Sequence, residues 1–421
     1  MKMNSKERLK TSLAHKSPDQ IVVDFGATPV TGIHVLVVRK LREYYGLENI
    51  PVKVTEPYQM LGEVDEELLE ALGVDVIGLG TKNNILGFES KKWKPFKTWW
   101  GQDVMVPVDF QVTRQPNGDL LVYPEGDVSA PASARMPSTG YFFDTIIRQE
   151  PFEENTLDVE DNLEEFKPVT DGDLAYWSDQ ISRVKNSGKG VIANFGGTAL
   201  GDIALVPAPF LRYPKGIRDI EEWYMSPLVR PDFVHEIYRR QTDIAVENLK
   251  KIFGIVGNDV DVVYMCGADL GTQNSTFCDL PAFRELYLPY YKKMNDWIHN
   301  NTTWKTFKHS CGAVEPLMEG FIEAGFDIIN PVQVNATGMD PVLLKKKYGS
   351  RIVFWGGGVD TQKELAFGTP DDVKKQVNEL CMVFGRDGGF VFNTVHNIQA
   401  NVPVENVVAM VDTLKRLNGK S

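Results

Sequence analysis

Hydrophobic residues recur along this chain in two periods. Leu9, Leu13 and Ala14 stand at helical spacing within residues 3–16, with Asn4 or Ser5 placed to cap that helix. Ile21-Val22-Val23-Asp24-Phe25-Gly26 reads as a short strand ended by glycine. A helix is expected from His34 to Tyr45 and another over Glu66–Leu72, before a strand at Val74-Asp75-Val76-Ile77-Gly78. From about residue 170 the alternation becomes regular. Apolar strands are expected at Val191–Phe195, Val260–Met265, Thr306–His309, Ile328–Asn330, Ile352–Trp355 and Phe390–Asn393. Between them lie helical patterns such as Pro231–Phe253, Pro281–Asn300, Val314–Ala324, Asp340–Tyr348 and Asp371–Phe384.

Near-continuous apolar strands separated by amphipathic helices imply a parallel sheet covered on both faces. With the amino-terminal strands the count comes close to eight, and no G-x-G-x-x-G follows the first strand. The expected fold is therefore an α/β TIM (β/α)8 barrel, residues 1–421 forming one domain. Residues 81–160 depart from the pattern. They alternate polar and apolar positions through Trp93, Asp103–Pro107 and Phe110–Arg114, then turn at Pro116-Asn117-Gly118-Asp119 into Leu120–Tyr123. This is a β-hairpin-rich insertion, expected to cover the barrel mouth. The acidic stretch Glu153–Glu165 reads as a solvated linker. Trp93, Trp99, Trp100, Tyr123, Tyr141, Phe142 and Phe143 fit either the insertion's own core or the wall of an apolar substrate pocket.

Composition narrows the class. A net charge of −12 argues against nucleic-acid and anionic-membrane partners. There are four cysteines (Cys266, Cys278, Cys311 and Cys381), too scattered for a disulfide framework. The charged start lacks a secretory signal, and no run of about 18 apolar residues could span a bilayer. A soluble, cytoplasmic protein is expected.

In a barrel, polar residues at strand carboxyl ends face the active site. Here these are Asp24, Asn194, Asp269, His309, Cys311, Gln333, Asp360 and His396. Lys308-His309-Ser310-Cys311-Gly312 places an imidazole and a thiol two residues apart at one strand end, hence on one side. Such a pair suits Zn²⁺, and a catalytic zinc takes three protein ligands and one exchangeable position. His396, across the mouth in a closed barrel, is the expected third ligand. The competing reading makes these a structural histidine and a buried thiol.

His309-Ser310-Cys311-Gly312, then Asp327-Ile328-Ile329-Asn330-Pro331-Val332-Gln333, then Trp355-Gly356-Gly357-Gly358-Val359-Asp360-Thr361-Gln362 resembles the uroporphyrinogen decarboxylase superfamily. The H-x-C pattern resembles its cobalamin-dependent methyltransferase branch. Asn393-Thr394-Val395-His396, with Pro403 and Glu405-Asn406-Val407 beyond, matches the segment that carries the last zinc cysteine in that branch. Here His396 holds the position, which leaves an N₂S donor set. True decarboxylases also carry a histidine near that place without using metal. They hold the carboxylates of their substrate with an arginine-rich loop after the first strand, whereas Gly26–His34 here contains no arginine.

The resemblance implies a zinc-dependent enzyme that moves a methyl group between a small substrate and a corrinoid (cobalamin) carried on a partner protein. This chain has no corrinoid-binding D-x-H-x-x-G sequence of its own. Methoxylated aromatics are the preferred methyl donors, ahead of methylamines and methanol. Asp269 is the expected catalytic acid–base or orienting group, and His34, Asn194, Gln273 and Gln333 are the expected substrate contacts. Helix Pro281–Asn300 fits a homodimer interface as well as it fits packing on the barrel. The alternatives are a metal-independent decarboxylase, for which Arg114, Arg135 and Arg212 are the candidate carboxylate partners, and a non-catalytic ligand-binding barrel.

Overall fold

The computed structural model describes residues 2–419. Eight parallel strands make one sheet: β1 (Val22–Val23), β2 (Val76–Leu79), β3 (Gly190–Ala193), β4 (Val262–Cys266), β5 (Lys305–His309), β6 (Ile328–Asn330), β7 (Val353–Trp355) and β8 (Phe390–Phe392). Their order is β1-β8-β7-β6-β5-β4-β3-β2. The sheet closes where the Asp75 N–H donates to the Val23 carbonyl at 2.8 Å and the Val23 N–H donates to Asp75 Oδ2 at 3.0 Å. Gly78 permits the neighbouring approach, because a Cβ there would lie 1.8 Å from the Ala27 carbonyl oxygen. The fold is the expected TIM barrel.

Side-chain alternation fills the barrel in layers. Val22, Val76, Ile192, Val262, Phe307, Ile328, Val353, Trp355 and Val391 form the inner core, with Leu9 and Leu13 of the helix Ser5–Leu13 packed against them. That helix stoppers the amino-terminal end. Two residues further along the strands, the inward positions become Asp24, Asn194, Tyr264, His309, Asn330 and Asn393. This polar inward layer lies at the carboxyl-terminal end.

Residues 80–170 leave the barrel after β2 and return at the helix Asp171–Val184, so they emerge from the carboxyl-terminal end. The expected hairpin forms between Val112–Arg114 and Leu120–Val122 within a four-stranded antiparallel sheet. The strands Trp93–Lys97 and Asp103–Pro107 join a different, five-stranded sheet begun by Ile33–His34, Val52–Glu56 and Leu61–Gly62. Trp99, Trp100, Phe110 and Phe143 contact one another edge-to-face or pack with Phe88 and Phe96, as an insertion core does.

Three elements differ from expectation. The helix expected over Pro281–Asn300 breaks at Tyr287 into Leu280–Leu286 and Leu288–Asn301, because Pro289 supplies no backbone donor. The helix expected from Val314 starts at Met318, after a 3₁₀ turn over Glu315–Leu317. The acidic stretch is not merely solvated: Glu165 pairs with the fully buried Arg218 at 2.9 Å, and a buried guanidinium requires such a counter-charge. No helix among the described residues is long and apolar enough to cross a membrane.

Candidate metal centre

Strand β5 ends on His309, whose side chain turns inward and is buried. Its register partner on β6 is Asn330. The Asn330 amide nitrogen donates to the Trp355 carbonyl at 2.8 Å, which leaves Oδ1 facing His309 Nδ1 at 2.6 Å. An amide oxygen only accepts, so Nδ1 carries the proton and Nε2 offers a lone pair to the mouth.

Cys311 follows two residues later, its Sγ 3.4 Å from His309 Nε2. The backbone that carries it is held on both sides. Asp269 Oδ1 accepts the Cys311 N–H at 2.7 Å, and Gln333 Oε1 accepts the Gly312 N–H at 2.8 Å. Gly312 has φ +93°, and a Cβ there would lie 2.4 Å from the Gly271 carbonyl carbon. Only glycine passes through that gap.

His396 arrives from the loop after β8. Its Nδ1 faces Asn397 Oδ1 at 2.9 Å, and the Asn397 amide nitrogen donates to Gln59 Oε1 at 2.6 Å and to the Pro29 carbonyl at 3.2 Å. The same logic places the proton on Nδ1 and leaves Nε2 free. The His309 and His396 rings lie 5.8 Å apart. One ligand atom each from His309, Cys311 and His396 fall within 4.8 Å of one another.

Burial, with the nearby His396 and Lys308 charges acting the same way, holds His309 down to about 4, although Asp269 and the Asn330 hydrogen bond pull it upward. Burial also lowers His396, while burial and the Asp269 carboxylate push the Cys311 thiol well up. Two neutral imidazoles and a thiol that stays protonated in the absence of a cation form a donor set that a divalent ion would convert, with loss of the thiol proton. Two nitrogens and one sulfur, each imidazole oriented by a neighbouring amide, fit Zn²⁺.

The other expected site residues divide. Asp269 lies 3.7 Å from His309 Nε2, with its side chain 30% exposed. Gln333 and Gln273 are joined to each other, Gln333 Nε2 donating to Gln273 Oε1 at 2.8 Å, so together they brace the Gly312 turn. Asn194 accepts the Gly196 N–H through Oδ1 at 3.0 Å. His34 is fully buried as the cap of the helix Val35–Tyr44. Its Nδ1 accepts the Leu36 N–H, and its Nε2 donates to the Tyr141 carbonyl at 3.0 Å. Of the candidate carboxylate partners, Arg135 is paired with Asp119 and Arg212 with Glu125 and Asp127. Asn330 and Asn397 carry weight that sequence reasoning did not assign them. Only Asn330 had a readable signal, as the inward residue at a strand end.

Residues 146–417, well over half of the chain, match the family described as uroporphyrinogen decarboxylase (URO-D). The chain belongs to this family. Two uroporphyrinogen decarboxylases, from Psychromonas ingrahamii and Aliivibrio salmonicida, are similar over short stretches, 30% identical over 80 residues and 29% over 96. These stretches cover 19% and 20% of this chain and 22% and 26% of the relatives, about a quarter of their length. Among solved structures, a methyltransferase from Methanosarcina mazei shares the fold, with a TM-score of 0.54 and 15% identity over 98% of this chain and 99% of that one. This member of the URO-D family therefore combines the family barrel with a three-donor cluster at its mouth.

Proposed function

We propose that the chain is a zinc-dependent methyltransferase that moves a methyl group between a small substrate and a corrinoid carried on a partner protein. The observation that carries this reading is the convergence of His309, Cys311 and His396, with both imidazole lone pairs directed inward by Asn330 and Asn397. The structural likeness to a methyltransferase over nearly the full length supports it.

Methyl groups on oxygen or nitrogen transfer slowly because the departing heteroatom is strongly basic. A bound zinc ion supplies a Lewis acid that lowers that basicity, or stabilises a thiolate when the substrate is a thiol. The protein's own groups do the rest. Asp269, within reach of the same point, would relay a proton to the departing oxygen or nitrogen as the methyl group leaves, or take the proton of a thiol acceptor. Gln333 and Gln273 keep the Cys311–Gly312 backbone from shifting, and Asn194 presents its amide nitrogen to the substrate. His34 acts indirectly, tying the insertion to the β1 loop through Tyr141. The insertion, residues 81–160, covers the mouth and excludes water. A metal-independent decarboxylase is the weaker reading, because Arg135 and Arg212, two of its three candidate arginines, are already paired with carboxylates.

Elemental analysis of the purified protein tests the proposal. About one zinc per chain is expected, and none in a His309→Ala/Cys311→Ala variant. A metal-free wild type that is fully folded would overturn it. Methyl transfer to a Co(I) corrinoid protein, assayed with methoxylated aromatics, methylamines and methanol, then tests the reaction.

A further inference from the structure

The metal cluster occupies one side of the mouth, and a second group of polar side chains stands beside it. Asp202 lies in the loop after β3. That loop is pinned to β4 by Thr198, whose hydroxyl donates to the Met265 carbonyl at 2.6 Å. Tyr264 is the inward residue of β4, stacked on Phe307 with ring centroids 5.4 Å apart. Among the described residues no hydrogen bond is made to its hydroxyl. Between the two lies Gly267, where a Cβ would sit 2.6 Å from Asp202 Oδ2 and 2.6 Å from the Tyr264 hydroxyl oxygen. Glycine at this turn therefore leaves the carboxylate and the phenol facing the same space. The turn leads in two residues to Asp269, whose Oδ1 is 3.7 Å from His309 Nε2.

Asp202 is 8% exposed, and its Oδ1 accepts the Ala204 N–H at 3.0 Å. Among the described residues no lysine or arginine comes within 4.0 Å of Asp202 or Asp269. Lys308, on the neighbouring strand end, points outward. Its Nζ donates to the Ala268 and His309 carbonyls at 2.5 and 2.8 Å and lies over the Phe321 ring. A nearly buried carboxylate that faces a second one, with its nearest lysine held by carbonyls and beyond ion-pair distance, is an unfavourable arrangement unless something else brings more positive charge. Burial, and after it the Asp269 charge, pushes Asp202 up to about 6, against the Ala204 and Gly267 N–H groups and the more distant Lys308 charge, which pull it down.

We infer that Asp202 and Tyr264 form an anionic pole that selects a substrate carrying a positive charge, such as a quaternary or protonated amine, at the end remote from its metal-binding atom. The inference rests on the metal-centred reading of the same mouth. Carboxylate and phenol oxygen together suit an ammonium group, the first through charge and the second as an acceptor. An anionic substrate meets two carboxylates and no guanidinium, and is rejected.

Three thiols of similar size test it on the Co²⁺-loaded full-length protein: thiocholine (cationic), 2-mercaptoethanol (neutral) and 2-mercaptoethanesulfonate (anionic). Each is titrated by the thiolate-to-cobalt charge-transfer absorption. The wild type is expected to bind thiocholine at least tenfold more tightly than the sulfonate. Asp202→Asn is expected to lower that ratio about tenfold, while Asp202→Glu, which keeps the charge, retains it. Comparing ratios between proteins cancels the differing acidities of the thiols. In metal-free protein, saturation-transfer NMR is expected to show choline preferred over 2-hydroxyethanesulfonate, again through Asp202. An equal preference in wild type and Asp202→Asn in both experiments overturns the inference. Absence of any charge-transfer band together with a retained, Asp202-dependent choline preference supports the inference and overturns the metal reading instead.

Discussion

Asn330 accepts the Nδ1 proton of His309 at 2.6 Å, and its own amide nitrogen is fixed on the Trp355 carbonyl at 2.8 Å. The Trp355 indole N–H in turn donates to Asp24 Oδ2 at 2.9 Å. One chain of hydrogen bonds thus runs from β5 through β6 and β7 to the loop after β1. The direction in which His309 presents its lone pair is a property of the closed barrel, not of the strand that carries it.

Removing the orienting amide should weaken the centre without removing a ligand. Asn330→Ala is expected to lower zinc affinity about 10–100-fold. Competition with a chromophoric chelator measures this. Equal affinities for wild type and the alanine variant would show that Asn330 does not set the tautomer.

The third donor can be exchanged for a softer one. His396→Ala is expected to lose the roughly one zinc per chain found in the wild type, and His396→Cys to retain it as an NS₂ site. Elemental analysis reads both. Full occupancy in His396→Ala would remove this histidine from the ligand set.

Zinc binding should release a proton. The Cys311 thiol is held well above its ordinary value by burial and by Asp269, so near neutral pH a cation must displace its proton. Apparent zinc affinity is therefore expected to rise by roughly tenfold per pH unit between about pH 6 and 8. The slope should vanish in Cys311→Ala. A pH-independent affinity in the wild type would mean that the thiol is not a ligand.

Asp24 is buried, and burial raises its carboxyl from an ordinary value of 3.8 to about 7. A raised acid binds its proton more tightly folded than unfolded, so the folded state is penalised once the group ionises. Below about pH 4 the effect is absent. It grows as pH rises toward about 7 and is complete above that. Asp24→Asn, which keeps an acceptor for Trp355, is expected to gain on the order of a few kcal/mol over wild type at pH 8, and much less at pH 5. Denaturant unfolding at the two pH values checks it, and a pH-independent difference would contradict it.

Gly312→Ala should damage the centre through the backbone. The left-handed φ and the approach of Gly271 leave no room for a methyl group. A loss of about 1–3 kcal/mol is expected, together with weakened zinc binding. An unchanged melting temperature would show that the turn can relax.

Much of this molecule was legible in its sequence. Hydrophobic period reports which side of an element is buried, a local property, so the strands Ile328–Asn330 and Val353–Trp355 and the helix Glu66–Leu72 fall where the pattern puts them. His309 and Cys311 were legible for the same reason, since alternation alone puts residues two apart on one side. His396 needed only the added premise that the barrel closes. The rest depended on partners far away in the chain. Gln333 reads as a polar residue near the mouth, but its bond to Gly312 exists because β5 and β6 pair in one register. Glu165 reads as solvated until the buried Arg218, 53 residues later, is folded against it. His34 reads as a helix residue until the insertion delivers the Tyr141 carbonyl to its ring, 107 residues on. The amino-acid pattern determined which residues face inward and which end of the barrel is polar. The tertiary structure decided which polar groups meet there and which nitrogen of each imidazole is left to bind. Hydrogen bonding is directional, whereas hydrophobic burial is not.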